Sequence, residues 1–424
     1  MAGGPRRRTP LLLRRNIAFR DAASTSGQRD RTRTQQQEAA LAKRDQDGRH
    51  GPRERNRWDA WTAARPKRPA GAASGERRLQ EIEQFGPNPG ALRMLAYAPR
   101  DLPAGAPLVV VLHGCTQDAH GYDSHAGWTR LAEREGFAVL YPEQQRANNA
   151  QRCFNWFLAA DAARGLGETR SIREMIAVMV ARHGLDESRI FVTGLSAGGA
   201  MASALLADYP EVFAAGAVIA GLPCGAARSI PEAFEAMSRP GDRSAAELGD
   251  LVRAGSPHAG PWPRISIWHG AADTTVVPKN AENLVKQWVE VHGAAHSEFH
   301  EEVSDGHLRR VWRAGGRDVV ELHVIAGMGH GTPLDARLGE RKGPYMLDVG
   351  VSSTRLIAKF WGLSGAVAED EAPAGQAVAR RPEPAASGAG ESRQEPRPDN
   401  ARRFRGADIG GTIERALRAA GLMR

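Results

Sequence analysis

An α/β fold with a mostly parallel central sheet is what this sequence predicts, and three observations predict it. Short apolar runs rich in β-branched residues alternate with longer segments of helical periodicity, the pattern of strands joined by crossover helices. Pro107–Leu112 (PLVVVL) is apolar throughout, as strands buried on both faces are. Arg189–Leu206 (RIFVTGLSAGGAMASALL) runs from an apolar strand through Gly-Leu-Ser-Ala-Gly directly into strong helix formers.

The elements follow in chain order. Leu79–Phe85 and Ala91–Ala98 flank the turn-rich Gly86-Pro87-Asn88-Pro89-Gly90 and read as a hairpin. The Pro107–Leu112 strand ends in His113-Gly114-Cys115. Gly127–Gly136 is helical, with Trp128, Leu131 and Ala132 on one face, and Phe137–Tyr141 is the next strand. Ser171–His183 reads as a helix opened by a capping box of Ser171 and Glu174, with Ile172, Met175, Ile176, Met179 and Val180 as its apolar stripe. The Ile190–Val192 strand and its helix come next, then a strand within Phe213–Gly221. Residues 225–263 are punctuated by Pro and Gly, with a helical piece at Ala245–Val252, and suit an insertion folded over the site. Arg264–Trp268 is a strand ending in His269-Gly270-Ala271-Ala272-Asp273. Pro278–His292 is a helix, Val319–Ile325 a strand ending in Ala326-Gly327-Met328-Gly329-His330, and Ser352–Trp361 a last helix.

This places the folded domain at residues 76–364. The chain has 424 residues, 41% hydrophobic and 25% charged, and no apolar run approaches the ~18 residues of a membrane span. Its net charge of +8 is unevenly placed: residues 1–78 hold 20 Lys/Arg and 8 Asp/Glu, a net of +12, so the remainder sums to −4. Residues 1–75 therefore read as a disordered basic tail. It is either simply solvated or a patch for an anionic surface such as a polymer granule, lipid head groups or nucleic acid. It carries Trp58 and Trp61 but no recognisable nucleic-acid module. Residues 365–405 read as a flexible linker. Residues 406–424 read as a short helix with Ile409, Ile413 and Leu417 on one face, docking on its own domain or on another chain. The opening apolar stretch is only Leu11–Leu13, against the ~7–15 residues of a secretory signal, which points to the cytoplasm. Three cysteines allow at most one bridge and no disulfide framework.

In sheets of this kind, ligands bind outside the carboxyl ends of the strands. Ser196, Asp273 and His330 each follow a predicted strand at that edge. Their chain order is that of an α/β-hydrolase triad: Ser196 as nucleophile, His330 as general base, Asp273 to orient and charge-stabilise the histidine. The Gly-x-Ser-x-Gly pattern alone is weak. With 47 Gly and 20 Ser in the chain, chance supplies ~0.25 matches, so the argument rests on the three residues together. Asp273 precedes Thr274 and Thr275 and also suits a turn cap. Asp305 lies in EEVSDGHLRR, which reads as a strand-to-strand turn. His323 sits inside a strand pattern, whereas His330 stands between two glycines on a loop. The second oxyanion donor belongs on the loop after an early strand, which assigns the hole to the backbone N–H groups of Cys115 and Ala197. No HExxH, paired CxxC or strand-borne GxGxxG is present, so neither a metal nor any other cofactor is expected.

LVVVLHGCTQDAHGYD, YPEQQRANNAQRCFNWF, VTGLSAGGAMASALLADYPEVFAAGAVIAGLP, WHGAADTTVVP and GMGHGTPLD together resemble the esterase family that includes polyhydroxybutyrate depolymerases, across the predicted domain. The resemblance implies an α/β-hydrolase fold and a serine carboxylesterase acting through an acyl-enzyme. It places the nucleophile at Ser196, the acid at Asp273, the base at His330 and the oxyanion loop at His113–Cys115. The implied substrate is a polymeric or smaller hydroxyalkanoate ester such as one of 3-hydroxybutyrate. Feruloyl and acetylxylan esterases carry similar motifs, and fold does not fix substrate. Polymer-degrading members are commonly secreted, which opposes the cytoplasmic reading. Cys115 and Cys153 both fall in these blocks, where a bridge would brace the oxyanion loop and two buried thiols are the alternative. Asn155, Trp156 and Phe157 either line the substrate pocket or pack. A granule- or anion-surface-associated protein with a secondary hydrolase domain is the reading from another class.

Overall fold

A computed structural model describes residues 78–364. The tail predicted at 1–75, the linker at 365–405 and the helix at 406–424 lie outside them. The strands are β1 (Gln80–Glu81), β2 (Arg93–Tyr97), β3 (Leu108–Leu112), β4 (Ala138–Glu143), β5 (Ile190–Leu195), β6 (Ala215–Ile219), β7 (Arg264–Gly270), β8 (Phe299–Ser304), β9 (His307–Ala314) and β10 (Arg317–Ile325). They form one sheet in the order β1-β2-β4-β3-β5-β6-β7-β10-β9-β8. The centre, from β4 through β3, β5, β6 and β7 to β10, is parallel. Both edges are antiparallel, so the sheet is mixed. The central strands read as apolar runs because both of their faces are covered: every residue of β3, β4, β5 and β6 is buried.

The helices are α1 (Ala119–Ala126), α2 (Trp128–Glu135), α3 (Ala159–Ala162), α4 (Gly167–His183), α5 (Ala197–Asp208), α6 (Ile230–Ser238), α7 (Ala245–Arg253), α8 (Lys279–Val291) and α9 (Ser353–Trp361). One sheet face packs Leu108, Val110 and Val192 against Ile172, Met175 and Met179 of α4, Met201 and Leu205 of α5, and Leu284 and Trp288 of α8. The other packs Val109, Val111 and Phe191 against Tyr122, Trp128 and Leu131, and against Ile357 and Trp361 of α9. Alternation along each strand divides the two cores. No helix among the described residues is long and apolar enough to cross a membrane.

Three expectations need correction or completion. The α4 helix begins at Gly167, a turn before the predicted capping box. Ser171 is interior: its Oγ donates to the Gly167 carbonyl (3.0 Å) and accepts the Gly90 N–H (2.9 Å). Burial of Glu168 and Thr169 in the first turn extends the helix against the local signal. The β8–β9 hairpin was legible only as its turn, Asp305-Gly306, where both residues have positive φ (49° and 76°) as a two-residue hairpin loop requires. β8 is exposed along its whole length and so carries no burial pattern. Residues 225–263 fasten to α8: Asn280 Nδ2 donates to Ala236 O (2.9 Å) and Gln287 Nε2 to Leu248 O (2.9 Å), and Gln287 Nε2 also holds the preceding Cys224 O (3.1 Å).

A ring stack ties α9 to the sheet: Trp361 lies 5.0 Å from Phe191 at 15° and 5.8 Å from Trp128 at 23°. Trp361→Ala is expected to lower unfolding free energy by about 3–5 kcal/mol, read from urea titrations. A loss under about 1 kcal/mol would show that the stack carries little of the α9 docking.

Candidate active site

Ser196 stands between β5 and α5 with φ 57° and ψ −117°. That backbone is one few non-glycine residues adopt, and it turns the side chain out of the strand-to-helix bend. Two glycines make the bend sterically feasible. A Cβ on Gly194 would lie 2.3 Å from the Gly198 oxygen, and one on Gly198 would lie 2.5 Å from the carbonyl oxygens of both Leu112 and His113. The second contact presses the start of α5 onto the end of β3. It thereby brings the Ala197 N–H beside the loop that carries Cys115.

Neither the Cys115 nor the Ala197 backbone N–H has an acceptor among the described residues. Ala197 is the first residue of α5, where an N–H has no intrahelical partner and the helix dipole favours negative charge. Cys115 is oriented by its neighbours. His113 is fully buried; its Nδ1 pairs with the Gly114 carbonyl (2.8 Å), and its Nε2 with the Gln144 N–H (3.0 Å). A carbonyl only accepts and an amide N–H only donates, so the ring is the neutral Nδ1–H tautomer, and burial lowers its basicity accordingly. Pinning the Gly114 oxygen fixes the plane of the Gly114–Cys115 peptide and aims its N–H the opposite way. Three links join this loop to the next: the Cys115–Cys153 disulfide, Thr116 N–H to Gln151 O (2.6 Å), and the Arg152–Asp118 ion pair (3.5 Å).

Asp273 and His330 come from two loops fastened to each other. Ala271 N–H donates to Ile325 O and Ala272 N–H to Met328 O, both at 2.9 Å. A Cβ on Gly270 would lie 2.2 Å from the Met328 oxygen, so only glycine permits this approach. Asp273 Oδ1 accepts the N–H groups of Thr275 and Val276 (2.9 Å each), the turn cap its sequence context suggested. Its Oδ2 is 2.7 Å from His330 Nδ1, and His330 Nε2 is 2.9 Å from Ser196 Oγ. Asp273, His330 and Ser196 therefore form one hydrogen-bonded chain, with Asp273 itself buried. Buried His269 also borders Asp273, its Nε2 donating to Val276 O (2.7 Å) and standing 3.5 Å from Asp273 Oδ2, whereas the competing candidates lie elsewhere. His323 stacks on Trp268 at 3.7 Å and pairs with His307 (2.8 Å), while Asp305 sits in the β8–β9 turn. Cys224 is the remaining thiol, and burial pushes it up to about 12.

Asn155 has its polar atoms taken up by other side chains. Its N–H and Nδ2 donate to Glu168 (2.9 Å each), and its Oδ1 accepts from Asn149. Trp156 is half-buried, edge-on to Phe157 at 5.4 Å, and packs on the core. Sequence reasoning missed the support chain Glu168–Gln144–His113. Gln144 Nε2 donates to Glu168, while Gln144 N–H meets His113. Gln144 at least lies in one of the resembling blocks; a buried Glu168 has no local signal.

Comparison with known proteins bears on this arrangement. The esterase PHB depolymerase family model matches residues 95–305. The chain is 44% identical over 300 residues to poly(3-hydroxyalkanoate) depolymerase C of Paucimonas lemoignei, covering 69% of this chain and 72% of that one. It is 33% identical over 224 residues to acetylxylan esterase A of Aspergillus oryzae, covering 51% of this chain and 71% of that one. A solved acetyl xylan esterase from Aspergillus awamori superposes with a TM-score of 0.59 at 26% identity, covering 68% of this chain and 99% of that one.

Two expected outcomes follow from the support chain. His113→Leu should lower kcat by about 10²-fold, the scale for a slight misplacement of a transition-state contact. His113→Asn, which keeps a donor near the Nδ1 position, should lose less. Equal losses, with melting temperatures matched, would refute the orienting role. The second concerns pH. Burial, with the Asp161 charge, pushes Glu168 up to about 8 against its amide donors, and burial pushes Asp208 up to about 8 against Arg164. Their ordinary values are 4.5 and 3.8, so the unfolded chain releases these protons first. Stability therefore falls as pH rises through that window and levels off above about pH 8. His292 and His307, lowered to about 4 mainly by burial, add the opposite slope only up to their ordinary 6.5. Melting temperature should drop between pH 6.5 and 8, and Glu168→Gln or Asp208→Asn should flatten the drop. A profile identical to the parent in both variants would exclude these carboxyls.

Proposed function

The chain belongs to the esterase PHB depolymerase family, and from that premise we propose that it hydrolyses carboxylic esters through Ser196, His330 and Asp273. The observation that carries the reading is the unbroken chain from Ser196 Oγ through His330 to Asp273, at 2.9 and 2.7 Å. The next residue, Ala197, and Cys115 on the loop after β3 each keep a backbone N–H without an acceptor among the described residues. Ser196 Oγ attacks the ester carbonyl as His330 Nε2 takes its proton. The carbonyl oxygen, now negative, sits against the N–H groups of Cys115 and Ala197. Such donors act where charge develops, and one is typically worth about 10²–10³ in turnover. Asp273 holds His330 with Nδ1 protonated and stabilises the imidazolium. His330 then gives its proton to the departing alkoxide, leaving an acyl-Ser196 ester. Water, activated by the same histidine, attacks that ester and releases the acid.

The substrate class this reading favours is a hydroxyalkanoate ester, polymeric or oligomeric, such as one of 3-hydroxybutyrate. Its support is the 44% identity to a protein named poly(3-hydroxyalkanoate) depolymerase C. An acetylxylan-type substrate is the second reading, supported by the superposition on an acetyl xylan esterase over 99% of that chain.

The test is a panel of aryl butyrate, acetylxylan, feruloyl and hydroxybutyrate esters with the parent protein and Ser196→Ala. The substitution should lower hydrolysis of every accepted ester by at least about 10⁴-fold while leaving the melting temperature intact. Persistent hydrolysis would remove Ser196 from the mechanism. Cleavage of p-nitrophenyl butyrate without any release of 3-hydroxybutyrate from polymer or oligomer would overturn the hydroxyalkanoate reading.

A further inference from the structure

Beside His330 lies an aromatic residue that no step of the proposed chemistry uses. Tyr345 is 36% exposed, one of few large apolar side chains left open to solvent among the described residues. Its ring stands edge-on to the His330 imidazole, centroids 6.0 Å apart at 78°. Its φ is +60°, a conformation rare for an aromatic residue. Its hydroxyl has no hydrogen-bond partner among the described residues.

The surrounding chain holds that strained backbone in place. Two short strands, β11 (Thr332–Leu334) and β12 (Met346–Asp348), pair in parallel immediately after His330 and Tyr345. The Thr332 N–H donates to the Tyr345 carbonyl (2.8 Å), and Gly343 and Met346 exchange two bonds of 3.0 Å around the turn. A Cβ on Gly331 would lie 2.7 Å from the Tyr345 oxygen, so the segment after His330 fits against Tyr345 only as glycine. On the other side, Gln117 Nε2 donates to Pro344 O (3.4 Å), while Gln117 Oε1 accepts the Gly114 N–H (2.8 Å). The Pro344-Tyr345 segment thus reaches from the base to the oxyanion loop. A residue that needed only to close this turn would be glycine or asparagine. The position instead carries a large, partly exposed ring and an unused hydroxyl.

Resting on the proposed mechanism, the position of that ring can be related to the substrate. With the carbonyl carbon at Ser196 Oγ and its oxygen toward Cys115 and Ala197, the leaving oxygen must lie within reach of His330 Nε2. The alcohol half of the ester therefore departs past the histidine that Tyr345 flanks. We propose that Tyr345 is a specificity-determining residue whose ring packs against the alcohol half of the ester and favours esters in which that half is an extended chain, such as a further hydroxyalkanoate unit, over those of a small alcohol.

Two butyrate esters with the same acyl group test this: methyl butyrate, and the butyrate ester of methyl 3-hydroxybutyrate. The readout is the ratio of their kcat/KM values in the parent chain, Tyr345→Phe and Tyr345→Gly. Glycine accommodates positive φ, so Tyr345→Gly should fold with an equal or higher melting temperature. Its ratio should fall about tenfold against the longer alcohol, the scale of one lost apolar contact. Tyr345→Phe should keep the ratio within about twofold, because the ring and not the hydroxyl makes the contact. An equal loss on both esters would assign Tyr345 a purely structural role and overturn the proposal, as would an unchanged ratio in Tyr345→Gly. A ratio that collapses in Tyr345→Phe as well would overturn the ring contact in favour of the hydroxyl. Failure of the parent reading looks different: Ser196→Ala would then still hydrolyse both esters, or the parent chain would hydrolyse neither.

Discussion

The contact on which the site depends is backbone against backbone, where Gly198 meets the carbonyl oxygens of Leu112 and His113. A methyl group there would sit 2.5 Å from both oxygens, well inside van der Waals contact. Because none is present, α5 starts directly against the end of β3. Three consequences follow from one missing side chain. Ser196 is forced into its φ 57° bend. The free N–H of Ala197 is held at the end of β3, on the side of the loop that carries Cys115. The turn after β3 is left no room to shift, so His113 must hold its peptide from behind. A strained residue persists only where its surroundings over-determine it, and here both flanking elements are buried along their length.

Asp273 and His330 are held by a different device. Ser196 rides on a strand-to-helix bend fixed by regular structure, whereas Asp273 and His330 ride on loops, which are ordinarily the mobile parts of a domain. These loops are made rigid by being fastened to each other at Ala271, Ala272 and Gly270. Asp273 uses one oxygen to close its own turn and the other to meet His330. The sequence suggested two competing roles for Asp273, a turn cap and a member of the triad. It has both geometries, and the first sets the direction of the second.

How much of this was legible in the chain follows from where each signal resides. Strands and their ends were visible because buried strands are apolar and their carboxyl ends are not; Ser196, Asp273 and His330 are each the first chemically competent residue past such an end. The places of Cys115 after β3 and Ala197 at the start of α5 were also legible, since a backbone donor is proposed from position alone and needs no side chain. What was not legible is support by buried polar side chains. Nothing local marks His113 as the residue that orients its neighbour, or Glu168 as the acceptor that gathers Gln144 and Asn155. A carboxylate ahead of a helix ordinarily reads as solvated. The misplaced start of α4 has the same origin: Ser171 and Glu174 form a sound local cap, but burial of Glu168 and Thr169 adds a turn before it. Local propensity is a weak prior wherever tertiary contacts satisfy the same groups.

This division also bears on substrate choice. The parts the proposed mechanism uses are two backbone N–H groups and one hydrogen-bonded chain of three side chains, held in place by glycine contacts, and none of them senses what lies beyond the ester carbonyl. A fold so arranged can serve relatives named for hydroxyalkanoate polymers and relatives named for acetylated xylan alike. Discrimination must then come from side chains that surround the carbonyl without touching it. Among the residues proposed from sequence, Asn155 is committed to Glu168 and Trp156 to the core, so neither offers a free polar group or a fully open ring. Tyr345 has an unpartnered hydroxyl and a partly exposed ring, on a turn braced at one end by β11 and at the other by Gln117 of the loop after β3. The same hydrogen bonds that steady the catalytic groups would hold its ring in place. Preorganised contacts of this kind lose little entropy on binding, which is the physical reason to look for specificity there rather than in the chain of Ser196, His330 and Asp273.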